Sequence, residues 1–238
     1  MSAATSALRA DDAELAGLLS RGAADLAVEL GPLDVGRLIA YVRLIERWNA
    51  TYNLTAIRDP REMVTQHILD CLAAAAALNR RRDGGAGERL VDVGSGAGLP
   101  GLVIAMMSPA REVTCVDSVG KKAAFIQQAA LALHLDNLHA EHVRVEKLQA
   151  APFDVLTSRA FASLSDFVNL TQGLAVSGGV WLAMKGKLPL EEIAALPVGF
   201  QAFHVERLRV PGLAAERCLI WIRKVAPLMS NSESGRLQ

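Results

Sequence analysis

Two successive patterns of hydrophobic and polar positions run along this chain. Up to about residue 80 the apolar side chains recur at helical spacing, with no good candidate for a strand. A first leucine-rich helix ends before Gly31-Pro32, and a second begins with Asp34 as its N-cap. A polar stretch follows, and a third helix opens at Asp59-Pro60. The first third of the chain is therefore predicted to be helical.

Beyond a charged, glycine-rich link at residues 80–85, short apolar runs alternate with helical stretches. The predicted parallel strands are Leu90–Val93, Glu112–Val116, Leu138–Val145, Phe153–Thr157 and Val180–Met184, and Phe200–Val210 with Arg217–Val225 form a closing antiparallel pair. The predicted helices between them are Pro100–Met107, Lys121–His134 and Leu164–Leu174. This alternation predicts an α/β fold of Rossmann-like type, with a doubly wound, mostly parallel seven-stranded sheet.

The same two patterns predict the domain organisation. Residues 1–85 are expected to form an N-terminal helical extension, residues 86–228 the sheet domain, and residues 229–238 a disordered tail. The helices show no heptad seam, so we expect a monomer.

Composition and charge narrow the class of protein. Of the 238 residues 51% are hydrophobic, while Lys+Arg and Asp+Glu each number 25. A net charge of zero argues against bulk electrostatic coating of nucleic acid, but it leaves room for a local basic face. No apolar run reaches the ~18 residues of a membrane span, and the acidic N-terminus is wrong for a secretory signal. We therefore expect a soluble, cytoplasmic protein that makes no membrane contact.

Cysteine and histidine usage gives no metal site. The three cysteines lie far apart in apolar runs, which is typical of small core residues. His139 and His142 are close in sequence, but no cysteine or carboxylate array accompanies them. No bound metal is expected.

The segment LVDVGSGAGLPG at Leu90–Gly101 carries the strongest chemical signal. Its glycines lie where a strand turns sharply into a helix, and Gly96, Gly98 and Gly101 match the dinucleotide-binding fingerprint. Asp117 ends the next strand and suits ribose hydroxyls. The glycine spacing alone leaves both NAD and S-adenosylmethionine open.

Three details favour the methyl donor. Asp92 lies inside the strand, where a carboxylate suits either a cationic cofactor or anchoring of the loop. Pro100 removes a backbone N–H from the helix start, where a pyrophosphate needs donors. No hydride-transfer site or second nucleotide-binding half follows.

Several segments in the right order resemble one family. They are RWNATYNLTAIRDPREMVTQHILDCL, LVDVGSGAGLPG, VDSVGKKAAFI, HVRVEKL, FDVLTSRAFASL and LAMKGKLPLEEI. The chain from about Trp48 to Lys224 resembles the RsmG or GidB family of class I methyltransferases. These are S-adenosylmethionine-dependent enzymes that act on a guanine N7 of 16S ribosomal RNA. The resemblance implies a structured loop, in the 530-loop region, as substrate, and 16S rRNA or the small ribosomal subunit as partner.

The resemblance also implies the residues that hold S-adenosylmethionine. They are Gly94, Ser95, Gly96, Gly98 and Leu99 in the glycine loop, Asp117 and Ser118 at the ribose, Val145 and Glu146 at the adenine, and Arg159 after the fourth strand.

The chemistry of guanine N7 fits a sequence without an acid–base dyad. N7 has an exposed lone pair and no proton, so transfer rests on positioning and electrostatics rather than on a general base. The turn at Thr157–Phe161 lacks the Asn/Asp-Pro-Pro-aromatic motif of exocyclic amine methylation, and no cysteine suits C5 transfer. These absences favour ring-nitrogen chemistry.

Candidate RNA contacts follow the strand ends. Arg159 and Lys185 are predicted to position the substrate, and Phe161 to stack on a base that Arg159 also contacts. Further candidates are Asn53, Arg58, His67, Lys121 and Lys187, and Lys122 beside Lys121 is a candidate phosphate contact near Asp117. His67 has a second interpretation, as a structural partner of Asp70 one helical turn later.

Two alternatives to an rRNA methyltransferase remain. One is an enzyme of the same fold that acts on a small molecule or a protein. The other is a non-catalytic RNA- or protein-binding module, against which the intact glycine loop and Asp117 argue.

Overall fold

A computed structural model describes residues 11–82, 87–159 and 161–225. The predicted domain boundary at residues 85 and 86 and the predicted tail at 229–238 lie outside the described residues.

The N-terminal region is helical, as predicted. Its α-helices are α1 (Asp12–Asp25), α2 (Pro32–Tyr52), α3 (Pro60–Met63) and α4 (Asp70–Arg81), and Val64–Leu69 forms a π-helical segment between the last two. The prediction of Asp34 as N-cap of the second helix was wrong. Gly31 is the N-cap and Pro32 opens α2, because the Asp34 carboxylate reaches back and accepts from the Gly31 N–H at 3.1 Å.

The strands form one seven-stranded sheet, as predicted. They are β1 (Arg89–Val93), β2 (Glu112–Asp117), β3 (Leu138–His142), β4 (Phe153–Ser158), β5 (Ala175–Lys185), β6 (Phe200–Leu208) and β7 (Arg217–Lys224). Their order is β3-β2-β1-β4-β5-β7-β6, parallel from β3 to β5, with β7 antiparallel to both neighbours. The chain switches direction across the sheet between β1 and β4, and open α/β sheets bind ligands outside the carboxyl ends of the strands at such a point.

Two strands differ from their predicted bounds by more than two residues. β3 ends at His142 instead of Val145, because the Val143 N–H bonds back to the Asp117 carbonyl and Val145–Lys147 turns into a 3₁₀-helix. β5 begins at Ala175 instead of Val180, and a bulge in its pairing with β4 accommodates the extra residues.

Helices cover both faces of the sheet. The remaining α-helices are α5 (Gly101–Met107), α6 (Gly120–Ala132), α7 (Leu164–Thr171) and α8 (Leu190–Ala194). On one face, α1, α2 and α4 share a single hydrophobic core with α5, α6 and the sheet, in which Leu38, Leu72 and Trp221 are buried. On the other face, Phe167 of α7 packs against the sheet. The N-terminal helices are therefore part of the main core.

Candidate functional site

Two cavities lie along the carboxyl edge of the sheet, each of about 370 Å³. We name them by their position. The first cavity is lined by Val93, Gly94, Val116, Asp117, Ser118, Val119, Lys122, Val143, Arg144, Val145, Glu146, Phe161 and Leu170. The second cavity is lined by Ile57, Gln66, His67, Asp70, Arg159, Met184, Lys185, Gly186 and Arg217. The two sets share no residue.

The glycine loop after β1 has the conformation that its sequence predicts. Gly94, Gly96 and Gly98 have φ values of +69°, +60° and +84°, which side-chain-bearing residues rarely adopt. The N–H groups of Gly94 and Ser95 both donate to the Val116 carbonyl, at 2.8 and 3.2 Å. A Cβ atom added at Gly96 would meet nothing within 4 Å, so the loop backbone is open to a ligand there.

Asp92 anchors this loop from below. Its fully buried carboxylate accepts from the Gly101 N–H at 2.9 Å, where α5 begins. Asp92 was expected either to suit a cationic cofactor or to anchor the loop, and in the structure it anchors the loop. A Cβ on Gly101 would lie 2.5 Å from Cys115 Sγ, so this glycine is required for close packing of helix on strand. The helix start thus donates to a protein carboxylate, and burial raises the pKa of that carboxylate to about 7.

A tyrosine from the N-terminal region braces the loop from behind. Tyr41 of α2 is completely buried, and its hydroxyl donates to the Ala97 carbonyl. A Cβ on Gly98 would lie 3.4 Å from the same hydroxyl oxygen. Helix α2 therefore helps to fix the conformation of the glycine loop, a role that sequence reasoning missed.

Asp117 is fixed at the wall of the first cavity. One carboxylate oxygen accepts from the Gly96 N–H and the other from the Val119 N–H, both at 2.9 Å. The Lys122 ammonium lies 3.9 Å from this carboxylate. The glycine loop and the end of β2 are thus joined by one carboxylate that keeps further acceptor capacity.

The structure brings together part of the predicted cofactor set. Five predicted contacts line the first cavity: Gly94, Asp117, Ser118, Val145 and Glu146. The other loop residues lie behind the wall. Leu99 packs in the core, and Ser95 is buried with its hydroxyl donating to the Asp92 carbonyl at 2.7 Å. Gly96 and Gly98 shape the turn without lining the cavity.

A buried carboxylate organises the second cavity. Asp70, the first residue of α4, is 1% exposed. One of its oxygens accepts from Arg217 Nε at 3.1 Å, and the other lies 3.6 Å from a terminal nitrogen of Arg159. Burial raises the pKa of Asp70 against the opposing effect of both arginines. The carboxylate therefore joins the N-terminal helices to β4 and β7.

His67 lies in the π-helical segment beside this ion-pair cluster. Its predicted pairing with Asp70 was wrong, because the arginines occupy that carboxylate and His67 Nε2 bonds to Thr55 Oγ1 at 2.9 Å instead. Burial, followed by the positive charge of Arg159, lowers the pKa of His67 to about 4. The imidazole is therefore neutral at neutral pH, and π-helical turns frequently occur at functional sites.

Lys185 at the end of β5 lines the second cavity but is already paired. Its ammonium lies 2.8 Å from the Glu192 carboxylate of α8 and 3.2 Å from the Phe161 carbonyl. A phosphate at this position would share the ammonium with both groups.

Phe161 and Arg159 do not border one space. Phe161 lines the first cavity and packs on Phe167 with ring centroids 5.0 Å apart, whereas Arg159 lines the second. The structure therefore does not bring these two described side chains to one cavity, as the predicted bracketing of a base requires.

The other RNA candidates are exposed and line neither cavity. The Arg58 guanidinium donates to Asn53 Oδ1 at 2.8 Å, so these two bond to each other. Lys187 and Lys121 are exposed. Lys122, the neighbour of Lys121, lines the first cavity instead.

Tyr41, Asp70 and Arg217 bound or support the two cavities but escaped prediction as site residues, whereas Lys122 was expected with Lys121 as a phosphate contact. Lys122 had a usable signal, because it lies in the first turn of the helix that follows Asp117. Tyr41 and Arg217 had none, since their hydrogen-bond partners lie 56 and 147 residues away in sequence.

The described part of the chain shows neither a metal centre nor a membrane span. Within residues 11–82, 87–159 and 161–225, no three His, Cys, Asp or Glu side chains group as metal ligands would. None of the helices in those ranges is both long and apolar enough to span a bilayer. The three cysteines are buried and form no disulfide.

The fold has counterparts among solved structures. TrmN from Thermus thermophilus superimposes with a TM-score of 0.54 at 20% identity, covering 68% of this chain and 53% of that one. MtNAS in complex with MTA and tNA gives 0.54 at 16% identity, covering 91% and 79%. The sheet order, with its switch point between β1 and β4, is that of the class I methyltransferase fold, a Rossmann-like architecture.

Sequence comparison defines the family. The family model for GidB, described as rRNA small subunit methyltransferase G, matches residues 34–220. A protein named ribosomal RNA small subunit methyltransferase G from Acidovorax ebreus is 54% identical over 215 residues, which cover 87% of this chain and 95% of that protein. One of the same name from Polaromonas naphthalenivorans is 52% identical over 222 residues, covering 92% and 100%. The chain belongs to the GidB family, as the motif resemblance predicted.

Proposed function

We propose that this chain is an S-adenosylmethionine-dependent methyltransferase that modifies guanine N7 in the 530-loop region of 16S rRNA. The observation that carries the proposal is the pair of cavities at the switch point of a GidB-family sheet. One has a fixed carboxylate and apolar walls, and the other has three cationic side chains. A nucleoside-bearing cofactor suits the first cavity and an RNA acceptor the second.

The residues of the first cavity fit the cofactor. Its volume of about 370 Å³ lies in the range of small-molecule sites. Asp117 has acceptor capacity for ribose hydroxyls, and Val145, Phe161 and Leu170 offer apolar surface for an adenine ring. The open backbone at Gly96 leaves room beside them. When bound, S-adenosylmethionine supplies a methyl group on a sulfonium.

Arg159 lies beside the carboxylate that organises the second cavity. Burial tends to lower its pKa, but nearby groups, Asp70 among them, raise it, so the guanidinium stays charged. Arg159 is therefore suited to orient the acceptor from the second cavity.

The second cavity suits an acceptor atom that carries no proton. His67 is a weak base with its pKa lowered to about 4, and its Nε2 is bonded to Thr55. Asp70 is held in two ion pairs. Among the described lining residues, no other histidine or carboxylate is present to accept a proton. Methyl transfer to N7 needs none, because the ring nitrogen attacks with a free lone pair.

One labelling experiment tests the assignment. The protein is incubated with methyl-labelled S-adenosylmethionine and 30S subunits that lack this modification, and the labelled nucleotide is mapped. Parallel reactions contain naked 16S rRNA, ribosomal proteins or a metabolite extract, and Asp117→Ala is the inactive control. We expect label on one guanine N7 of the 530 loop. Label on another base atom, on protein alone or on a small molecule would overturn the proposal.

A further inference from the structure

Arg217 is a cavity residue to which neither the motifs nor the resemblance assigned a role. It opens β7, the last strand of the described residues, and lines the second cavity opposite the N-terminal helices. Because β7 is antiparallel to β5, its first residue lies at the carboxyl edge of the sheet, where Lys185 pairs with the adjacent Cys218. The terminal hairpin therefore contributes a cation to the acceptor side.

The hydrogen bonds of Arg217 fix one edge of its guanidinium. Nε donates to the Asp70 carboxylate at 3.1 Å, and one terminal nitrogen donates to the Glu216 carbonyl at 2.8 Å. The other terminal nitrogen makes no hydrogen bond to any of the described residues, and the side chain is 23% exposed. Because the guanidinium is planar and two of its nitrogens are bonded, the direction of the third nitrogen is fixed. Its N–H groups are free to donate to a ligand.

The charges around the second cavity indicate what this donor binds. Lys185 is compensated by Glu192, while Arg159 and Arg217 share the single carboxylate of Asp70, and His67 is neutral. One positive charge is left over. The target guanine is neutral before transfer and becomes cationic on methylation at N7, so the base itself does not compensate this charge. An anionic group is favoured there, and guanidinium groups bind phosphate strongly.

We propose that Arg217 binds a backbone phosphate of the RNA strand that carries the target nucleotide, and that Asp70 positions Arg217 for this contact. Asp70 orients Arg217 and Arg159 from one buried point, so the phosphate contact is set relative to the second arginine of the same cavity. The RNA source of the phosphate rests on the proposed function, whereas the phosphate chemistry rests on the cavity alone.

The salt dependence of substrate binding tests the phosphate contact. A protein loses about one unit of slope in the plot of log affinity against log salt for each phosphate contact removed. We expect Arg217→Gln to lower this slope by about one, measured from the KM for 30S subunits at several KCl concentrations. Its affinity for S-adenosylmethionine should stay within about twofold of the parent, because Arg217 does not line the first cavity. An unchanged slope overturns the proposal, whatever happens to KM.

Arg223→Gln is the matched control. Arg223 lies on the same strand toward its other end, is exposed, and lines neither cavity. The Arg223→Gln variant removes the same charge from the same strand, but at the amino edge of the sheet. Its plot of log affinity against log salt should therefore have the same slope as that of the parent.

Two further variants separate phosphate binding from folding. Arg217→Lys keeps the positive charge beside Asp70 and should keep the slope, with KM raised a few-fold because lysine binds phosphate as a point charge. In the single variant Arg217→Gln, the buried Asp70 carboxylate loses one of its two ion-pair partners. Combining it with Asp70→Asn removes that carboxylate charge as well. If Arg217→Gln does not fold, this double variant replaces it, and the same loss of slope is expected.

Inorganic phosphate separates this proposal from the proposed function. If no RNA is methylated at all, the salt slope cannot be measured. The phosphate subsite is then tested by comparing the melting temperature in millimolar phosphate with that in chloride of equal ionic strength. Phosphate should stabilise the parent more than Arg217→Gln or its double variant, since a ligand that binds only the folded state raises stability. Equal stabilisation overturns the phosphate subsite.

Discussion

The two cavities have the same volume but differ in the charges on their walls and in the elements that line them. The first has two carboxylates and two cationic side chains on its wall, and its residues come from the loops after β1 to β4 and from α7. The second has three cationic side chains and one carboxylate, and it draws on the N-terminal helices, the ends of β4 and β5, and the start of β7.

This difference separates what the fold provides from what the family adds. The first cavity lies at the switch point that any sheet of this order creates, so its lining comes from the βα units, with Tyr41 of α2 bracing the glycine loop from behind. The second is lined on one side by Ile57, the π-helical segment and the start of α4, and on the other by the end of β5 and the start of β7. The proposed cofactor and acceptor sites therefore draw on different parts of the chain.

The largest expected effect comes from removing the carboxylate of the first cavity. Asp117→Ala should weaken S-adenosylmethionine binding by roughly a hundredfold or more, because each charge-assisted hydrogen bond contributes about 1.5–3 kcal/mol. Calorimetric titration measures this loss. Affinity for 30S subunits should stay within about twofold, and a parallel fall in both affinities would show that the two cavities are not separate sites.

The charge state of His67 sharpens the contrast between the cavities. Its folded pKa of about 4 lies below the unfolded value near 6.5, so only the unfolded state takes up the proton between those values. The stabilising contribution of the neutral imidazole should therefore rise by up to about 3 kcal/mol from pH 4 to pH 6.5. His67→Gln should lack this rise.

Urea unfolding of both proteins across this range measures the difference. A difference curve is needed because Asp92, with its pKa raised to about 7, has the opposite dependence: its contribution falls as pH rises from about 4 towards 7. Parallel curves for parent and His67→Gln would mean that the folded protein does not lower the pKa of His67.

A smaller effect is expected from a change in the second cavity, at Lys185. Lys185→Met keeps the length of the side chain and removes its charge, so the KM for 30S subunits should rise by about three- to tenfold. Affinity for S-adenosylmethionine should change less than twofold. Loss of the partly exposed pair with Glu192 should lower stability by about 1 kcal/mol or less. A fall in cofactor affinity with an unchanged KM would assign Lys185 to the first cavity.

The smallest effect is expected outside both cavities. Lys187→Gln alters an exposed side chain, so stability should change by less than about 0.5 kcal/mol and KM by less than about twofold. Thermal melting and steady-state kinetics measure both. A tenfold rise in KM would extend the acceptor surface beyond the second cavity.

The fold and the first cavity were readable from the sequence because their signals are local. Alternating apolar runs indicated the seven strands, and the glycine segment with Asp117 marked the wall of the first cavity by following two neighbouring strands. The end of β3 and the start of β5 were missed by several residues, because a turn bonded to Asp117 and a bulge are tertiary features.

The second cavity was readable only in part. Arg159, Lys185 and His67 were identified as candidates, but not their partners. Asp70 was assigned to His67 by helical spacing, and nothing in the local pattern indicates that its ion-pair partners come from β4 and β7. Long-range contacts of this kind leave no periodic signal, so the cluster emerges only once the hairpin is packed beside β5.

The contact between Asp70 and Arg217 also fixes an order of events during protein synthesis. The carboxylate leaves the ribosome early, whereas its partner arginine follows 147 residues later, on the final strand. A nascent chain can form the glycine loop and the end of β2 before that strand emerges. It cannot complete the second cavity, so the growing polypeptide can form the proposed cofactor site before the proposed acceptor site.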